Sequence, residues 1–454
     1  MKLTESGSLE SGRKISVVGL GKLGAPLAAC LAYRGYQVTG VDLDRNKIQS
    51  VNAGIPPVFE PGLKELLQSS HARLTATDDC EEAIRNSEAT FVLVPTPSDA
   101  QGGFSLRYVI PVCERIGDTL RKKPTYHLVV LTSTVLPGAT ANEVRPILEK
   151  HSGKRCGEGF GLCYSPEFVA LGSVIHDLLN PDFILIGESD LHSGDMLASL
   201  YRGLCENDPP IARMNFVNAE VAKLSVNTFV TTKITFANML ARICERLPGA
   251  NVDVVTSALG LDSRIGGKYL KGAIGYGGPC FPRDNLALAS LARRVDSVAT
   301  LAEATDSVNR QEVRRLAKLV ESRLPINGVV GILGLAYKPN TDVVEESQGL
   351  LLAQSLLAGG VSVTVYDPAG MRNAQRVLDS SVVFAESAEE CVQAADVIVI
   401  ATAWEEFKRL SATSLGRNST RRVLVDCWRL LDPRTHGAIV EYLPLGVGIK
   451  LEVG

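Results

Sequence analysis

The sequence lacks any apolar run long enough to span a bilayer and any long run of charges of one sign. Its 47 basic and 50 acidic residues nearly balance, so the composition does not favour nucleic acid or acidic surfaces as partners. The first 13 residues are polar and charged and do not contain the apolar segment of a secretion signal. We therefore expect a cytoplasmic protein that binds small molecules and neither nucleic acid nor a membrane.

Closely spaced cysteine pairs are absent as well. No CxxC sequence occurs, which argues against a zinc site and a disulfide framework, so no metal is expected. Most thiols should be reduced, buried and inert. The ten cysteines lie at positions 30, 80, 113, 156, 163, 205, 244, 280, 391 and 427.

The start of the sequence has the order of a dinucleotide-binding βαβ unit. A strand-like run, Lys14–Val18, leads into the glycine sequence GLGKLG at 19–24 and a helical pattern at 25–34. A second strand, Gln37–Val41, then ends at Asp42. A GxGxxG sequence alone is weak evidence for nucleotide binding, but in this order and spacing it predicts a bound dinucleotide.

Each part of this unit has a physical task. Gly19 permits a tight turn, Gly21 lets the backbone approach a pyrophosphate, and Gly24 allows close packing of the helix. The N-terminus of that helix attracts phosphate oxygens. Asp42 is placed to accept hydrogen bonds from both hydroxyls of the adenosine ribose, and its charge would repel a 2′-phosphate. The expected cofactor is therefore NAD rather than NADP.

Polar residues follow three further predicted strands. Thr96 lies in Pro-Thr-Pro, Thr134 in Thr-Ser-Thr and Glu167 in Ser-Pro-Glu-Phe. Because the carboxyl ends of strands in an open parallel sheet line the ligand crevice, these residues lie where chemistry is expected. Each is also an ordinary turn or cap residue. The three strands are predicted at 90–94, 127–131 and 161–164.

The order of elements predicts an α/β fold with two doubly wound Rossmann-like domains joined by a central helical domain. In the middle of the chain, 3.6-residue periodicity replaces strand signals, and a predicted helix at 218–246 is long enough to offer a dimer surface. From Gly328 the opening pattern returns, but its turn, GLAYKPNTD, lacks GxGxxG, so this copy is expected to bind a nucleotide-bearing substrate. The expected divisions are a flexible N-terminal extension at 1–13, an NAD-binding Rossmann-like domain at 14–212, a central helical dimerisation domain at 213–323, and a C-terminal α/β substrate domain at 324–454.

A glycine-rich loop, GYGGPCFPRD at 275–284, presents Cys280 with Asp284 four positions later. Glycines let a backbone approach a ligand closely, and a thiol there can serve as a nucleophile. The same sequence is also compatible with a tight turn whose small cysteine packs inside. Combined with an NAD site, the cysteine indicates an oxidation that passes through a covalent thioester.

Lys223 and Asn227 lie one helical turn apart in AKLSVN and therefore share a helix face. A buried lysine there could polarise an oxygen, and Asn227 could hold a water or a hydroxyl. A solvated lysine on an amphipathic helix is the alternative that the local sequence leaves open.

Further sequences occur in order between about Lys14 and Pro433. They are VVGLGKLGAPLA, VDLDRNK, LVPTP, TSTVLPG, SPEF, AKLSVNTF, SRIGGKYLKGAIGYGGPCFPRD, GLAYKPNTD and ATAWEEF. In this series the chain resembles the UDP-glucose/GDP-mannose dehydrogenase family. The resemblance implies an NAD-dependent nucleotide-sugar 6-dehydrogenase that oxidises a sugar C6 alcohol to a carboxylate, a four-electron reaction with two NAD. It also implies a homodimer or larger homo-oligomer, a C-terminal domain that binds UDP, and a product used for polysaccharides.

The resemblance assigns catalytic roles to five residues. Cys280 would be the nucleophile, forming a thiohemiacetal that yields the second hydride and leaves a thioester for water to cleave. Asp284 and Lys223 would handle the alcohol proton and stabilise developing oxyanions, with the help of Asn227. Glu167 would act as the general base on the thioester.

Binding residues are implied in the same way. Lys271 corresponds to a phosphate-binding lysine, and Arg264 corresponds to an arginine that reaches a neighbouring subunit's sugar site. The expected substrate-binding residues are Phe168, Arg264, Tyr269, Lys271, Gly277, Phe281, Tyr337 and Lys338. The expected cofactor-binding residues are Gly19, Leu20, Gly21, Leu23, Gly24, Asp42, Lys47, Thr96 and Thr134.

Four positions depart from the family pattern. Leu171 stands in place of a second glutamate, Arg283 of a lysine, and Glu345 and Trp428 each of an arginine. Phe168 stands where members that oxidise UDP-N-acetylhexosamines carry an arginine. The first expectation is therefore oxidation of UDP-glucose to UDP-glucuronate, with UDP-N-acetyl-mannosamine, UDP-N-acetyl-glucosamine and GDP-mannose as alternative substrates.

Two rival functions belong to other classes. A noncatalytic protein that binds NAD or a nucleotide sugar would not need the five catalytic residues, and their presence argues against it. A two-electron dehydrogenase would not need Cys280.

Overall fold

A computed structural model describes residues 12–416 and 421–448 of the chain. These residues fold into two compact units, divided in the sequence between Ser225 and Val226. Most of the predicted N-terminal extension, residues 1–11, lies outside the described residues. The predicted domain limits at 212 and 323 stay predictions. Of the helices in the described ranges, none combines the length and the apolar character needed to cross a membrane.

The first unit contains an eight-stranded sheet. Its strands are β1 (Lys14–Val18), β2 (Gln37–Val41), β3 (Leu74–Thr77), β4 (Ala89–Val92), β5 (Leu128–Leu131), β6 (Gly161–Tyr164), β7 (Ile184–Glu188) and β8 (Ile211–Met214). They lie in the order β3-β2-β1-β4-β5-β6-β7-β8, and neighbouring strands are parallel except for β6 and β7. The order changes direction between β1 and β4, which is the switch point where open α/β sheets bind ligands.

Helices connect these strands. They are α1 (Gly24–Tyr33), α2 (Arg45–Asn52), α3 (Leu63–Ser70), α4 (Cys80–Arg85), α5 (Val109–Lys122), α6 (Arg145–Ser152), α7 (Val174–Leu179) and α8 (Leu191–Leu204), with a 3₁₀ turn at His71–Arg73 and a π turn at Thr140–Val144. The longest helix, α9, begins at Phe216 and ends at Cys244.

The second unit contains helices followed by a six-stranded sheet. Its strands are β9 (Val329–Leu333), β10 (Ser362–Tyr366), β11 (Val383–Phe384), β12 (Val397–Ile400), β13 (Val423–Asp426) and β14 (Glu441–Pro444). Its helices are α10 (Val252–Gly260), α11 (Phe281–Arg294), α12 (Thr300–Glu321), α13 (Gln348–Ala358), α14 (Met371–Ala374), α15 (Ala388–Ala394), α16 (Ala412–Leu415) and α17 (Pro433–His436), with a 3₁₀ turn at Glu405–Arg409. The strands are all parallel, in the order β11-β10-β9-β12-β13-β14.

Both sheets are covered on two faces. In β1, Val17 packs with α1 on one face, whereas Val18 packs with α4 and α5 on the other, because successive side chains of a strand point to opposite sides. The central strands β4, β5, β12 and β13 are buried from end to end, which is typical of parallel strands between two helical layers. The predicted α/β fold, with two doubly wound sheets and a central helical region, is confirmed.

The two sheets share one local turn geometry. Gly19 follows β1 with φ of +100°, and α1 packs so closely that a Cβ on Gly24 would collide with the Gly19 carbonyl oxygen. Gly334 follows β9 with φ of +105°, and a Cβ on Gly349 in α13 would collide with the Gly334 carbonyl oxygen. The second sheet thus repeats the tight turn without GxGxxG, because its two glycines are separated by a longer loop.

Candidate active site

The glycine turn after β1 has the shape of a phosphate site. Leu20 is buried and its backbone N–H donates to Asp42 Oδ2 at 2.8 Å, so the turn is tied to the end of β2. A Cβ on Gly21 would meet no heavy atom of the described chain within 4 Å. Helix α1 has Leu23 at its N-cap, with no acidic residue in its first turn and no side-chain cap from the described residues. This uncapped helix N-terminus beside open space fits a bound pyrophosphate.

Asp42 is held ready to accept hydrogen bonds. It accepts from the backbone N–H groups of Leu20 and Asp44 and from Lys47 Nζ, the last at 3.2 Å. Burial raises the pKa of Asp42, but the hydrogen bonds from Asp44 and Leu20 and the charge of Lys47 outweigh burial and hold this pKa below its ordinary value. The ionised carboxylate fits a ribose diol and opposes a 2′-phosphate.

The second sheet carries an aspartate at the corresponding place, Asp367 after β10. Its carboxylate accepts from the backbone N–H groups of Leu335 and Ala336 and from Trp404 Nε1. It is 1% exposed, so its oxygens are committed to the protein. The expectation that the second copy does not bind a dinucleotide as the first does stays a prediction, and the burial of Asp367 supports it.

The threonines predicted on the nicotinamide side contact each other. Thr96 Oγ1 donates to the carbonyl oxygen of Thr134 at 2.7 Å, which joins the loops that follow β4 and β5. Ser133 Oγ donates to the carbonyl oxygen of Val94 and strengthens the same connection. Both loops thus form one wall at the carboxyl edge of the sheet.

Lys223 and Glu167 also meet in the first unit. Lys223 Nζ donates to the carbonyl oxygen of Glu167 at 2.5 Å and lies 4.5 Å from the ring centroid of Phe168. Because Lys223 is 7% exposed, the alternative of a solvated lysine is wrong. A cation held by a carbonyl oxygen and an aromatic face is suited to stabilising a negative oxygen.

The Glu167 carboxyl group is unusual. Its Oε1 atom is buried and has no hydrogen-bond partner in the described part of the chain. Burial raises the pKa of Glu167 to about 7, although the charge of Lys223 and a hydrogen bond with Tyr201 both lower it. A carboxyl group with this pKa can accept and return a proton near neutral pH. Tyr201 was missed at the sequence level, because no spacing connects it with Glu167.

In the second unit, Cys280 is exposed, so the alternative of a buried packing cysteine is wrong. It is the N-cap residue of α11, and Asp284 lies one turn into that helix. The Asp284 backbone N–H donates to the Cys280 carbonyl oxygen at 2.8 Å. Asn227 Nδ2 donates to Asp284 Oδ2 at 2.6 Å, and Arg283 Nε lies 3.7 Å from Asp284 Oδ1. A thiol at a helix N-terminus is favoured as thiolate.

The loop before Cys280 is fixed by residues distant in the sequence. Asn309 accepts from the backbone N–H of Tyr276 and donates to its carbonyl oxygen, and Gln348 Nε2 donates to the same oxygen. A Cβ on Gly277 would collide with the carbonyl oxygen of Glu346. Asn309 and Gln348 were missed by sequence reasoning, since they lie 33 and 72 residues from Tyr276.

Several predicted substrate residues surround this loop. Phe281 contacts Tyr269 edge to face at 6.2 Å between ring centroids. The Tyr337 ring lies against Gly278, and Lys338 Nζ lies 5.9 Å from the Tyr337 ring centroid. Lys271 is exposed and placed to meet solvent or ligand.

Arg264 lies apart from these residues. Its Nη2 donates to Asp262 Oδ2 at 2.6 Å, and its side chain lines an apolar groove with Phe229 and Phe236. The groove is exposed on the second unit.

Three of the four departures have structural tasks. Leu171 packs against the apolar core of the first unit. The Glu345 carbonyl oxygen accepts from the backbone N–H of Gly278, while the Glu345 residue is exposed. Trp428 Nε1 donates to the Ala401 carbonyl oxygen at 2.9 Å, so the indole is part of the second unit's packing.

Among the residues that the structure describes, no cluster of His, Cys, Asp and Glu could hold a metal ion.

Comparison with known sequences was made over the whole chain. Sequence profiles of the UDP-glucose/GDP-mannose dehydrogenase family match residues 13–205 (NAD binding domain), 217–311 (central domain) and 331–433 (UDP binding domain). A UDP-glucose 6-dehydrogenase of Haloferax volcanii is 37% identical over 401 residues, which cover 87% of this chain and 93% of that protein. A GDP-mannose 6-dehydrogenase of Pseudomonas savastanoi pv. phaseolicola is 37% identical over 413 residues, with 88% and 93% covered.

Solved structures are similar over nearly the same span. A UDP-glucose dehydrogenase from Pyrobaculum islandicum has a TM-score of 0.88 at 34% identity, covering 99% of this chain and 100% of that one. A UDP-D-ManNAc dehydrogenase from Pyrococcus horikoshii has a TM-score of 0.81 at 27% identity, covering 96% and 99%.

Proposed function

Because this chain belongs to the UDP-glucose/GDP-mannose dehydrogenase family and is an NAD-dependent nucleotide-sugar 6-dehydrogenase, we propose that it oxidises UDP-glucose to UDP-glucuronate through a thioester on Cys280. The observation that carries the thioester route is the exposed Cys280 at the start of α11, with Asp284 one turn later and hydrogen-bonded by Asn227. A thiol is needed only when oxidation continues past the aldehyde.

The first oxidation removes the proton of the C6 hydroxyl and a hydride from C6. The glycine turn, Asp42, Lys47 and the threonine loops would hold NAD, which would supply the hydride acceptor for each oxidation. Asp284 and Lys223 are proposed to receive or screen the negative charge that develops on the C6 oxygen. Support for Lys223 comes from its burial between a carbonyl oxygen and an aromatic face.

The second oxidation uses the thiol. The Cys280 thiol adds to the aldehyde, its sulfur bonding to the carbon and its proton passing to the oxygen, to give a thiohemiacetal. Loss of a second hydride from C6 and of the hydroxyl proton leaves the thioester. Water then adds to the thioester carbon, one of its protons passes to Glu167, and the carbon–sulfur bond breaks to release the carboxylic acid and the thiolate. The carboxylic acid then loses its proton to solvent and becomes the carboxylate. The pKa of Glu167, raised by burial to about 7, supports its role as that base. Two hydrides leave each sugar.

UDP-glucose is favoured by Phe168, whose ring packs against Phe183 at 4.7 Å between centroids and against Lys223. An apolar side chain there offers no charge to bind an acetamido group. GDP-mannose is the second candidate, because a GDP-mannose 6-dehydrogenase is as similar in sequence as the UDP-glucose enzyme.

The test is a count of NADH formed per sugar consumed by the purified protein, with UDP-glucose, GDP-mannose, UDP-N-acetylmannosamine and UDP-N-acetylglucosamine offered separately. Two NADH per UDP-glucose and none with the others supports the proposal. One NADH per sugar would refute the thioester route, and two NADH with another sugar would refute the substrate.

We also propose that two copies associate through α9 and its neighbours. Phe229 is 65% exposed and Phe236 45% exposed, and both line the groove that contains Arg264. Exposed aromatic side chains in one groove are typical of a protein interface. Phe236→Asp is expected to halve the mass measured by light scattering, whereas Ile326→Asp, at an exposed site on another part of the second unit, should leave it unchanged.

A further inference from the structure

Arg429 is a buried arginine in the loop after β13, with 8% of its side chain exposed. Its Nε and Nη2 donate to the two carboxylate oxygens of Asp253 at 2.6 and 2.9 Å, and Nη2 also donates to the carbonyl oxygen of Gly272 at 2.5 Å. Nη1 donates to the carbonyl oxygens of Leu445 at 2.7 Å and Cys427 at 3.4 Å. Every N–H of the guanidinium thus has an acceptor, and Arg429 connects α10, the loop at Gly272 and the chain after β14.

The backbone of Arg429 also has an unfavourable conformation. Its φ is +56°, in the left-handed region that glycine adopts readily and arginine rarely adopts. A residue keeps such a conformation when its surroundings fix it. The preceding Trp428 is fixed in this way, because its backbone N–H donates to Asp426 Oδ1 at 3.1 Å and its indole donates to the Ala401 carbonyl oxygen. A rigid turn therefore directs the guanidinium towards Gly272.

Gly272 directly follows Lys271, the residue that is predicted to bind a substrate phosphate. A Cβ on Gly272 would collide with the carbonyl oxygen of Ala237 in α9, so the backbone lies close against that helix. Lys271 itself is exposed. By holding the Gly272 carbonyl oxygen, Arg429 fixes the residue next to the one whose side chain is expected to meet the ligand.

The remainder of this loop is held by other side chains. Asn238 of α9 accepts from the backbone N–H of Ala273 at 2.8 Å and donates to the carbonyl oxygen of Ile274 at 2.9 Å. The asparagine and glutamine contacts described above hold the part next to the thiol. Loss of Arg429 is therefore expected to release the start of the loop at Lys271 and to leave the thiol in place.

Asp253 gives Arg429 a rigid anchor. It lies in the first turn of α10, and its backbone N–H donates at 2.9 Å to Asn251, the N-cap residue of that helix. The Val252 backbone N–H donates at 2.9 Å to the carbonyl oxygen of Gly446, which ties the start of α10 to the chain after β14. The carboxylate and the Leu445 carbonyl oxygen that orient the guanidinium are thus joined to each other.

We propose that Arg429, oriented by Asp253, is a positioning residue that places Lys271 for binding a phosphate of the nucleotide sugar. It acts through the Gly272 backbone and does not itself contact the ligand. This inference rests on the proposed oxidation of a nucleotide sugar and on the predicted role of Lys271.

The test is a set of dissociation constants measured by calorimetry without NAD and without turnover. UDP and GDP are titrated into the wild-type protein, and the nucleotide that binds more tightly is used. The Kd should rise about tenfold in Arg429→Met and in Lys271→Ala, the effect of losing one hydrogen bond to a charged group. Adding Arg429→Met to Lys271→Ala should cause no further rise, because Arg429 then has no phosphate-binding side chain to place.

Three results would overturn the proposal. The first is an equal Kd in wild type and Arg429→Met. The second is a rise of the same size when Arg429→Met is added to Lys271→Ala, since additive effects report a loosening that does not act through Lys271. The third is an unchanged Kd in Lys271→Ala, which would show that this side chain does not bind the nucleotide.

Arg315→Met is the matched control. Arg315 of α12 is a partly buried arginine of the same unit whose Nη1 donates to Glu245 at 2.9 Å and whose Nε donates to Glu312 at 3.1 Å. Its replacement removes a comparable ion pair between α12 and the end of α9. The Kd should stay unchanged in Arg315→Met, and an equal rise in both arginine variants would assign the effect to general stability and overturn the proposal.

Steady-state kinetics separate this inference from the proposed function. Arg429→Met should raise KM for UDP-glucose about tenfold with little change in kcat, because the thiol keeps its place. If UDP-glucose yields no NADH, the proposed substrate fails, while the nucleotide titrations still decide the role of Arg429. If thermal unfolding shows that Arg429→Met does not fold, Asp253→Asn removes the charge that orients the guanidinium, and an unchanged Kd in Asp253→Asn overturns the proposal.

Discussion

Replacing Glu167 with glutamine is expected to stabilise the folded protein, and to do so more strongly at higher pH. The carboxyl group is buried beside Tyr201, and its pKa is raised by burial from 4.5 to about 7 against the charge of Lys223. The folded state therefore favours the protonated form. The stability linked to this proton is fully present below the unfolded value of 4.5 and is lost as the pH rises through about 7. Glutamine keeps the size of the side chain and never ionises.

The magnitude follows from the two pKa values. A pKa difference of one corresponds to about 1.4 kcal/mol, so the wild-type protein loses about 3 kcal/mol over the whole transition. Between about pH 5.5 and about pH 8 the loss is about 2 kcal/mol. The difference in free energy of unfolding between Glu167→Gln and wild type should grow by that amount over this interval.

The assay is urea unfolding of both proteins at the two pH values, with the first unit followed by a fluorescent probe. Glu158→Gln is the matched control, because Glu158 is an exposed glutamate of the same unit. The difference in free energy of unfolding between Glu158→Gln and wild type should be the same at both pH values. The reasoning would be refuted if the difference in free energy of unfolding between Glu167→Gln and wild type stayed constant or decreased as the pH rises. The same variant should accumulate the thioester, which mass spectrometry of the quenched enzyme detects.

Three further predictions concern single side chains. Cys280→Ser should form no uronate, whereas Cys156→Ser, at a half-buried cysteine, should form it normally. Uronate is measured by mass spectrometry, and its formation by Cys280→Ser would contradict the thioester route. Asn227→Ala removes the donor 2.6 Å from Asp284 and should lower kcat roughly 10- to 100-fold in steady-state NADH assays, an unchanged kcat being the contrary result. Asp42→Ala should lower kcat/KM for NAD and raise it for NADP, because the repelling charge is gone; an unaltered ratio would show that Asp42 does not select the cofactor.

The first βαβ unit could be predicted because its signals are local. The strand at Lys14–Val18, the glycines and Asp42 lie within one short segment, and turn chemistry and periodicity fix their structure without help from the rest of the chain. Strands β7 and β8 were not predicted, since their place depends on pairing with β6 and with each other. The antiparallel β6 and β7 pair breaks the parallel pattern that a repeated βαβ unit predicts.

The sequence identified candidate site residues, but it did not predict their burial or their contacts. The sequence left two interpretations for Cys280 and two for Lys223, and in each case burial decided between them. Burial depends on which distant segments cover a side chain, and no local pattern contains that information. The sequence also gave no signal for Tyr201, which meets Ser165 across 36 residues of chain.

The sequence by itself determined the family, the NAD cofactor and the α/β fold, and it identified the thiol, amine and carboxyl groups that the proposed reaction would use, because these follow from residue types at fixed spacings. Only the tertiary structure decided how those groups are tuned. Cys280 is exposed at a helix N-terminus, Lys223 is enclosed by a carbonyl oxygen and a ring, and the Oε1 atom of Glu167 is buried without a hydrogen-bond partner among the described residues. Desolvation and hydrogen-bond partners set the pKa of a group, and both are supplied by residues that are far apart in the sequence and close only after folding.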